Sequence, residues 1–193
     1  MLCVLTIFNR SVGMLLFVFI IPILAAHFKN YNIKGIIKAF DLYPLFIIEL
    51  VHIFFQVNAL FGNYTYVRFA VYLQYAFNLS LLIPIIYRKL YYPAIIGSGF
   101  VIVGSFCNKL VIALNNGKMP VFATFSKLTG LYKEGILLQG IDGLHIQMTS
   151  DSSLPFLGDY IDLGFCIMSF GDILIHSYIA IIVYYTIKSV NIT

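Results

Sequence analysis

"AIIGSGFVIVGSFCNKLVIALNNGKMPVF", residues 94–122, decides how this chain is read, because a long apolar run ends abruptly in an amide pair, a glycine, a lysine and a proline. Asn or Gly at positive φ is the usual way to stop a helix and satisfy its last carbonyls. Pro120 then blocks resumption of the helix and pushes Met119 towards an extended conformation. Such a stop needs only one Asn or Gly, so the pair Asn115 and Asn116 asks for a second task.

Of the 193 residues, 61% are hydrophobic and only 10% charged, where a soluble domain carries about a quarter charged residues. The apolar residues come in runs long enough to cross a hydrocarbon layer of about 30 Å, which takes roughly 20 helical residues. The runs predict helices over about 11–28, 42–60, 68–87, 91–114 and 164–187. They are continuous and do not alternate, which favours helices over a membrane barrel. The expectation is an all-α polytopic membrane helix bundle: one integral membrane domain, residues 1–193, with about five transmembrane helices. A long ordered loop, 115–163, lies between the fourth and fifth as an extramembrane cap, with short amphipathic helices expected around Val121 to Leu138. A cleaved signal peptide is disfavoured, since Arg10 follows the first apolar residues.

The net charge of +4 is spread over short loops, which argues against nucleic acid and leaves the lipid bilayer as the expected environment. Lys29, Lys34, Lys38, Arg88, Lys89 and Lys188 fall on one side of the expected bundle, and Arg10, Arg68 and the long-loop lysines on the other. That balance places the long loop outside the cytoplasm. Cys3, Cys107 and Cys166 lie in or beside apolar runs without metal-ligand spacing, and read as small hydrophobes. The clustered Tyr87, Tyr91 and Tyr92 read as an interfacial aromatic belt. Gly97, Ser98, Gly99, Gly104 and Ser105 thin the fourth expected helix for close approach of a neighbour.

Three stretches, "LNNGKMPV" (114–121), "HIQMTSDSSLPFLGD" (145–159) and "SFGDIL" (169–174), resemble in order the motifs of an uncharacterised family of bacterial multi-pass membrane proteins, a domain of unknown function. The family pattern reads Asn-Gly-Gly-x-Met-Pro-Val, then His with Leu-Pro-Phe-Leu-Gly-Asp, then Ser-Ile-Gly-Asp. The resemblance covers the carboxyl-terminal half and singles out Asn115, Met119, Pro120, His145, Gly158 with Asp159, and Gly171 with Asp172. Asn116 stands where the family has its first glycine; asparagine tolerates left-handed geometry, so the turn can survive. The resemblance implies the bacterial cytoplasmic membrane and no particular reaction.

Ionisable groups inside spans are costly unless they face a cavity or one another, which marks them as candidates. Glu49 and His52 share one helical face at i, i+3, as do Asp172 and His176 at i, i+4. Were those faces to meet, they would form a transition-metal site or a proton relay. The blander reading is that each His bonds its own helix neighbour. The di-iron bundle pattern is not met, because the chain's glutamates are Glu49 and Glu134. In the long loop His145, Asp151 and Asp159 keep company with Thr149, Ser150, Ser152 and Ser153, but no nucleophile elbow, zinc helix or phosphate loop occurs.

The residues therefore favour a non-enzymatic protein without a cofactor, whose cap binds a partner protein, peptide or small envelope molecule. The binding candidates are Asn108, Asn115, Gly117, Met119, Pro120, His145, Asp159 and Asp172. Two alternatives stay open: a membrane-embedded enzyme, hydrolytic or metal-dependent, and a small proton-coupled transporter acting as a homo-oligomer.

Overall fold

A computed structural model of the chain describes residues 19–60, 63, 65–66, 69–128, 144–164 and 167–192. Arg10, Arg68, Cys3, Cys166 and the expected amphipathic stretch around Leu131 and Ile136 lie outside the described residues. The helices are α1 (Ile21–Phe28), α2 (Tyr43–Leu60), α3 (Ala70–Ser80), α4 (Leu82–Tyr87), α5 (Tyr91–Leu114), the single turn α6 (Phe125–Leu128) and α7 (Phe170–Ile192). The strands are β1 (Met119–Val121), β2 (His145–Gln147), β3 (Asp159–Asp162) and β4 (Ile167–Ser169).

This corrects the expected all-α bundle of about five spans. Among the described residues, two helices are long and apolar enough to cross a membrane, α5 and α7. Residues 11–18 of the first expected span lie outside the described residues, and the rest of it contains the eight-residue α1. The third breaks at Leu81 between α3 and α4, because Pro84 has no N–H to offer the Ser80 carbonyl one turn back and its ring crowds that carbonyl. The fifth starts later than expected, at Phe170, because the residues before it form β4. The expected loop holds a sheet where amphipathic helices were expected: Val121 belongs to a strand, and only Phe125–Leu128 is helical there among the described residues.

Two compact units divide the chain, one containing Gly99–His176 and the other joining Leu15–Ser98 with Ser177–Thr193. In the first unit α5 and α7 cross where two glycines meet. A Cβ on Gly104 would overlap the Gly171 carbonyl and press on Leu174 and Ile175, and one on Gly171 would overlap the Asn108 amide oxygen. Small residues at such a crossing let the backbones approach closely. As α5 advances from Gly104 to Asn108 its partners on α7 move back towards Ser169, so the helices are antiparallel.

The sheet of this unit has the order β2-β1-β3-β4. β1 is parallel to both neighbours, with Met119 opposite His145 and Val121 opposite Asp159, while β3 and β4 are antiparallel with a bulge between Asp159 and Ile161. Pro120 sits in a central strand without loss, because pairing with β3 is made at Val121 and the bond to the other side is the Met119 N–H to the Leu144 carbonyl. β4 runs straight into α7, and a four-residue turn joins α5 to β1, so the sheet is held at adjacent ends of the two long helices.

In the second unit, Leu42, Leu45, Phe77, Leu81, Ile85, Ile182, Val183 and Ile187 are buried. Arg88, counted above as a loop charge, grips the buried Asp41 with two guanidinium nitrogens, one at 2.7 Å, and donates to Ser189 at 3.1 Å. A Cβ on Gly97 would strike the Tyr178 ring, whereas one on Gly99 would meet nothing within 4 Å among the described residues.

That contrast predicts the behaviour of two alanine variants. Gly104→Ala should lower stability by about 1–3 kcal/mol through overpacking against backbone, while Gly99→Ala should be neutral or gain up to about 1 kcal/mol from helix propensity. Unfolding in detergent micelles, followed by circular dichroism, measures both; the reverse order would remove the glycine crossing as the organising contact.

Candidate functional site

The two asparagines that end α5 divide the work. Asn116 (φ +56°) and Gly117 (φ +79°) take the left-handed conformations of the turn, and the Gly117 N–H reaches the Ile112 carbonyl at 2.9 Å. Asn115, only 7% exposed, turns its carboxamide inward. Its Nδ2 donates to the Val111 carbonyl at 2.7 Å and the Ser153 carbonyl at 2.9 Å, and its Oδ1 accepts the Ser153 N–H at 2.9 Å. The amide thus mimics a strand edge and ties a segment 38 residues away to the helix end. The second task of the amide pair is this clamp.

The clamped segment leads into Gly158 and Asp159. A Cβ on Gly158 would lie 2.8 Å from the Pro120 carbonyl, so glycine is needed for β3 to close on β1. His145 on β2 and Asp159 on β3 flank β1, and His145 Nε2 lies 3.7 Å from Asp159 Oδ2 with the residues 7% and 4% exposed. The distance exceeds a hydrogen bond. A buried imidazole beside a carboxylate can serve as an oriented base or simply balance a buried charge. The neighbouring hydroxyls serve the local turn: Ser152 Oγ accepts the Thr149 N–H at 2.9 Å, and Ser150 faces Asp151 at 3.4 Å.

Two further hubs hold the cap, and the sequence reading missed a central residue of each. Asp162 accepts the N–H groups of Thr124 (2.7 Å), Ser126 (2.9 Å) and Gly164 (2.8 Å), capping α6 from across the sheet. Burial pushes its carboxyl up, but the Ser126 hydroxyl and the Ser126, Gly164 and Thr124 N–H groups outweigh burial and hold it below the usual carboxylate range. Asp-x-Gly at 162–164 is an Asx-turn signature that could have disclosed it. Ser169 and Asp172 form a reciprocal cap at the start of α7: the Asp172 N–H reaches Ser169 Oγ at 3.0 Å and the Ser169 N–H reaches Asp172 Oδ2 at 3.2 Å. Asn108 joins both side chains, donating to Asp172 Oδ1 at 2.9 Å and accepting from Ser169 Oγ at 2.8 Å. The Ser-x-x-Asp spacing is legible as a capping box.

The remaining candidates are dispersed. Met119 is buried in β1 and Pro120 stands beside it in the same strand, while Gly117 occupies the turn with open space around its Cβ direction. His176 Nδ1 lies 2.6 Å from the Asp172 carbonyl, bonding its own helix as the blander reading expected. Glu49 and His52, 3.8 Å apart, belong to the other unit. Among the described residues no three His, Cys, Asp or Glu side chains gather as metal ligands.

These features define a class: a chain with, among the described residues, two apolar, membrane-length helices, whose crossing carries a small mixed sheet closed by buried polar clamps. Residues 34–184 match the model of a family described as "Family of unknown function (DUF5317)", and the chain belongs to that family. The match extends well into the amino-terminal half, where the resemblance drawn from the motifs rested on hydropathy alone. No curated protein and no solved structure matches the chain.

Two measurements test the clamps. Asn115→Ala should destabilise the cap by about 2–3 kcal/mol by stranding the Ser153 backbone groups, while Asn116→Gly should be neutral or stabilising at its positive φ; amide exchange at Ser153 reads the difference. For Asp162 the folded-state value lies below the unfolded one, so its contribution is fully present above the ordinary value of about 4 and is lost as pH falls through the lowered one. The stability gap between the parent and Asp162→Asn should therefore shrink in denaturant titrations carried below about pH 4.

Proposed function

We propose that this is a non-enzymatic membrane protein of the bacterial envelope, in which α5 and α7 insert into the cytoplasmic membrane. The cap of residues 115–163 then lies outside the cytoplasm and binds a partner protein, peptide or small envelope molecule. Insertion is supported by the exposure of the two helices: only 17% of the most apolar stretch of α5 and 28% of that of α7 is buried. A helix that apolar in a soluble core would be mostly covered. Tyr87, Tyr91 and Tyr92 are exposed at and before the start of α5, in keeping with an interfacial belt.

The observation that carries the binding reading is how the cap distributes its chemistry. Asn115, His145, Asp159, Asp162 and Asp172 are buried, and Asn115, Asp162 and Asp172 hydrogen-bond the backbone. The described cap turns outward seven large apolar or aromatic side chains, Phe122, Phe125, Leu128, Leu144, Phe156, Tyr160 and Leu163, beside the polar Asn116, Thr124, Lys127, Thr149, Ser150, Asp151 and Ser153. Aromatic surface on a scaffold fixed from within suits recognition better than proton transfer. The buried His145 and Asp159, 3.7 Å apart, favour one second reading, a membrane-surface enzyme using His145 as base.

A photo-crosslinking residue placed at Phe156 or Phe122 in native membranes separates the two. A discrete partner adduct, kept in His145→Gln and lost when the neighbouring exposed aromatics are replaced by serine, is the expected result. Lipid adducts alone, together with a cellular product that disappears in His145→Gln, would replace binding with catalysis.

A further inference from the structure

Glu49 continues the buried face of Leu42 and Leu45 along the start of α2, at spacings of seven and four. It is 2% exposed, and among the described residues neither carboxylate oxygen has a hydrogen-bond partner. Removing a carboxylate from water without donors costs several kcal/mol, so something must offset it. Arg88, a cation of the same unit, is committed to Asp41 and Ser189. His52, one turn further along α2, brings Nδ1 to 3.8 Å from Glu49 Oε2. That is too far for a hydrogen bond, and the His52 side chain is 21% exposed, so its ring reaches from the buried carboxylate to the surface.

We propose that Glu49 and His52 form a binding site for an exchangeable divalent transition-metal ion. Two ligands bound at about 2.0–2.2 Å, at angles between tetrahedral and trigonal, stand roughly 3.4–3.6 Å apart. The observed 3.8 Å needs only a small side-chain adjustment to match. One imidazole nitrogen and one carboxylate oxygen suit Zn²⁺, Co²⁺ or Mn²⁺ better than Mg²⁺ or Ca²⁺, which prefer oxygen alone. The ion supplies the positive charge that the buried carboxylate otherwise lacks. Two protein donors with water completing the shell make an exchangeable site, in contrast to closed structural sites with four protein ligands. The partly exposed His52 ring marks the point of entry. This proposal is independent of what the cap binds.

The test uses the untagged full chain in detergent, freed of metal by chelation and titrated with Co²⁺ at neutral pH. Visible absorption reads the ligand field and elemental analysis the stoichiometry. The parent and the control His27→Gln, which alters a histidine at the end of another helix, should bind one Co²⁺ per chain. Glu49→Gln and His52→Gln should each weaken binding by more than about tenfold, at least the effect of disturbing a ligand's supporting shell. If Glu49→Gln fails to fold, His52→Gln carries the test, since its ring is already part exposed. Absence of stoichiometric binding in the parent, or parental affinity in His52→Gln, overturns the proposal.

Discussion

Where α5 and α7 cross, Gly104 and Gly171 bring two helix backbones within reach of each other, and Asn108 fills the adjoining space with hydrogen bonds to Ser169 and Asp172. The rest of the first unit depends on this contact. It sets the antiparallel direction of the helices, places the start of α7 about 9 Å short of the end of α5 at a rise of 1.5 Å per residue, and so decides where β4 and β1 can meet β3. The glycines allow the approach. The polar triplet makes it specific, because any other register would separate the Asn108 amide from Asp172 Oδ1 and the Ser169 hydroxyl.

Strands of three or four residues form few ladder bonds, and the cap compensates with side chains that act on distant backbone. Asn115 holds Ser153, and Asp162 holds Thr124 and Ser126. Each closes a loop of chain by satisfying groups that would otherwise be buried unpaired, which is the more expensive alternative. One consequence bears on function. Residues that looked like a dispersed catalytic or ligand set are largely the fastenings of the cap, and the surface they support carries exposed aromatic side chains among polar ones.

Parts of this were legible in the residues. The helix stop after Leu114, the tolerance of Asn116 for positive φ, the close approach of a neighbour at Gly97 and Gly104 of α5 and the His176 bond to its own helix all follow from local rules, and the structure shows each, though Gly99 has no such neighbour among the described residues. The sheet was not legible. Its strands are too short for a period of two to register, one contains a proline, and another begins and ends in aspartate. Apolar content alone suggested five spans, but it does not report where Pro84 interrupts a helix or where a strand delays one.

Composition and local chemistry by themselves determined that the chain is largely apolar and helical, where α5 ends, and which polar residues were worth attention. Only tertiary structure decided what those residues do. A side chain such as Asn115 or Asp162 meets its partners 36 to 38 residues away, a distance over which spacing carries no information. Helix periodicity places a carboxylate such as Glu49 on a face, but whether a donor meets it depends on packing, which residue order does not contain.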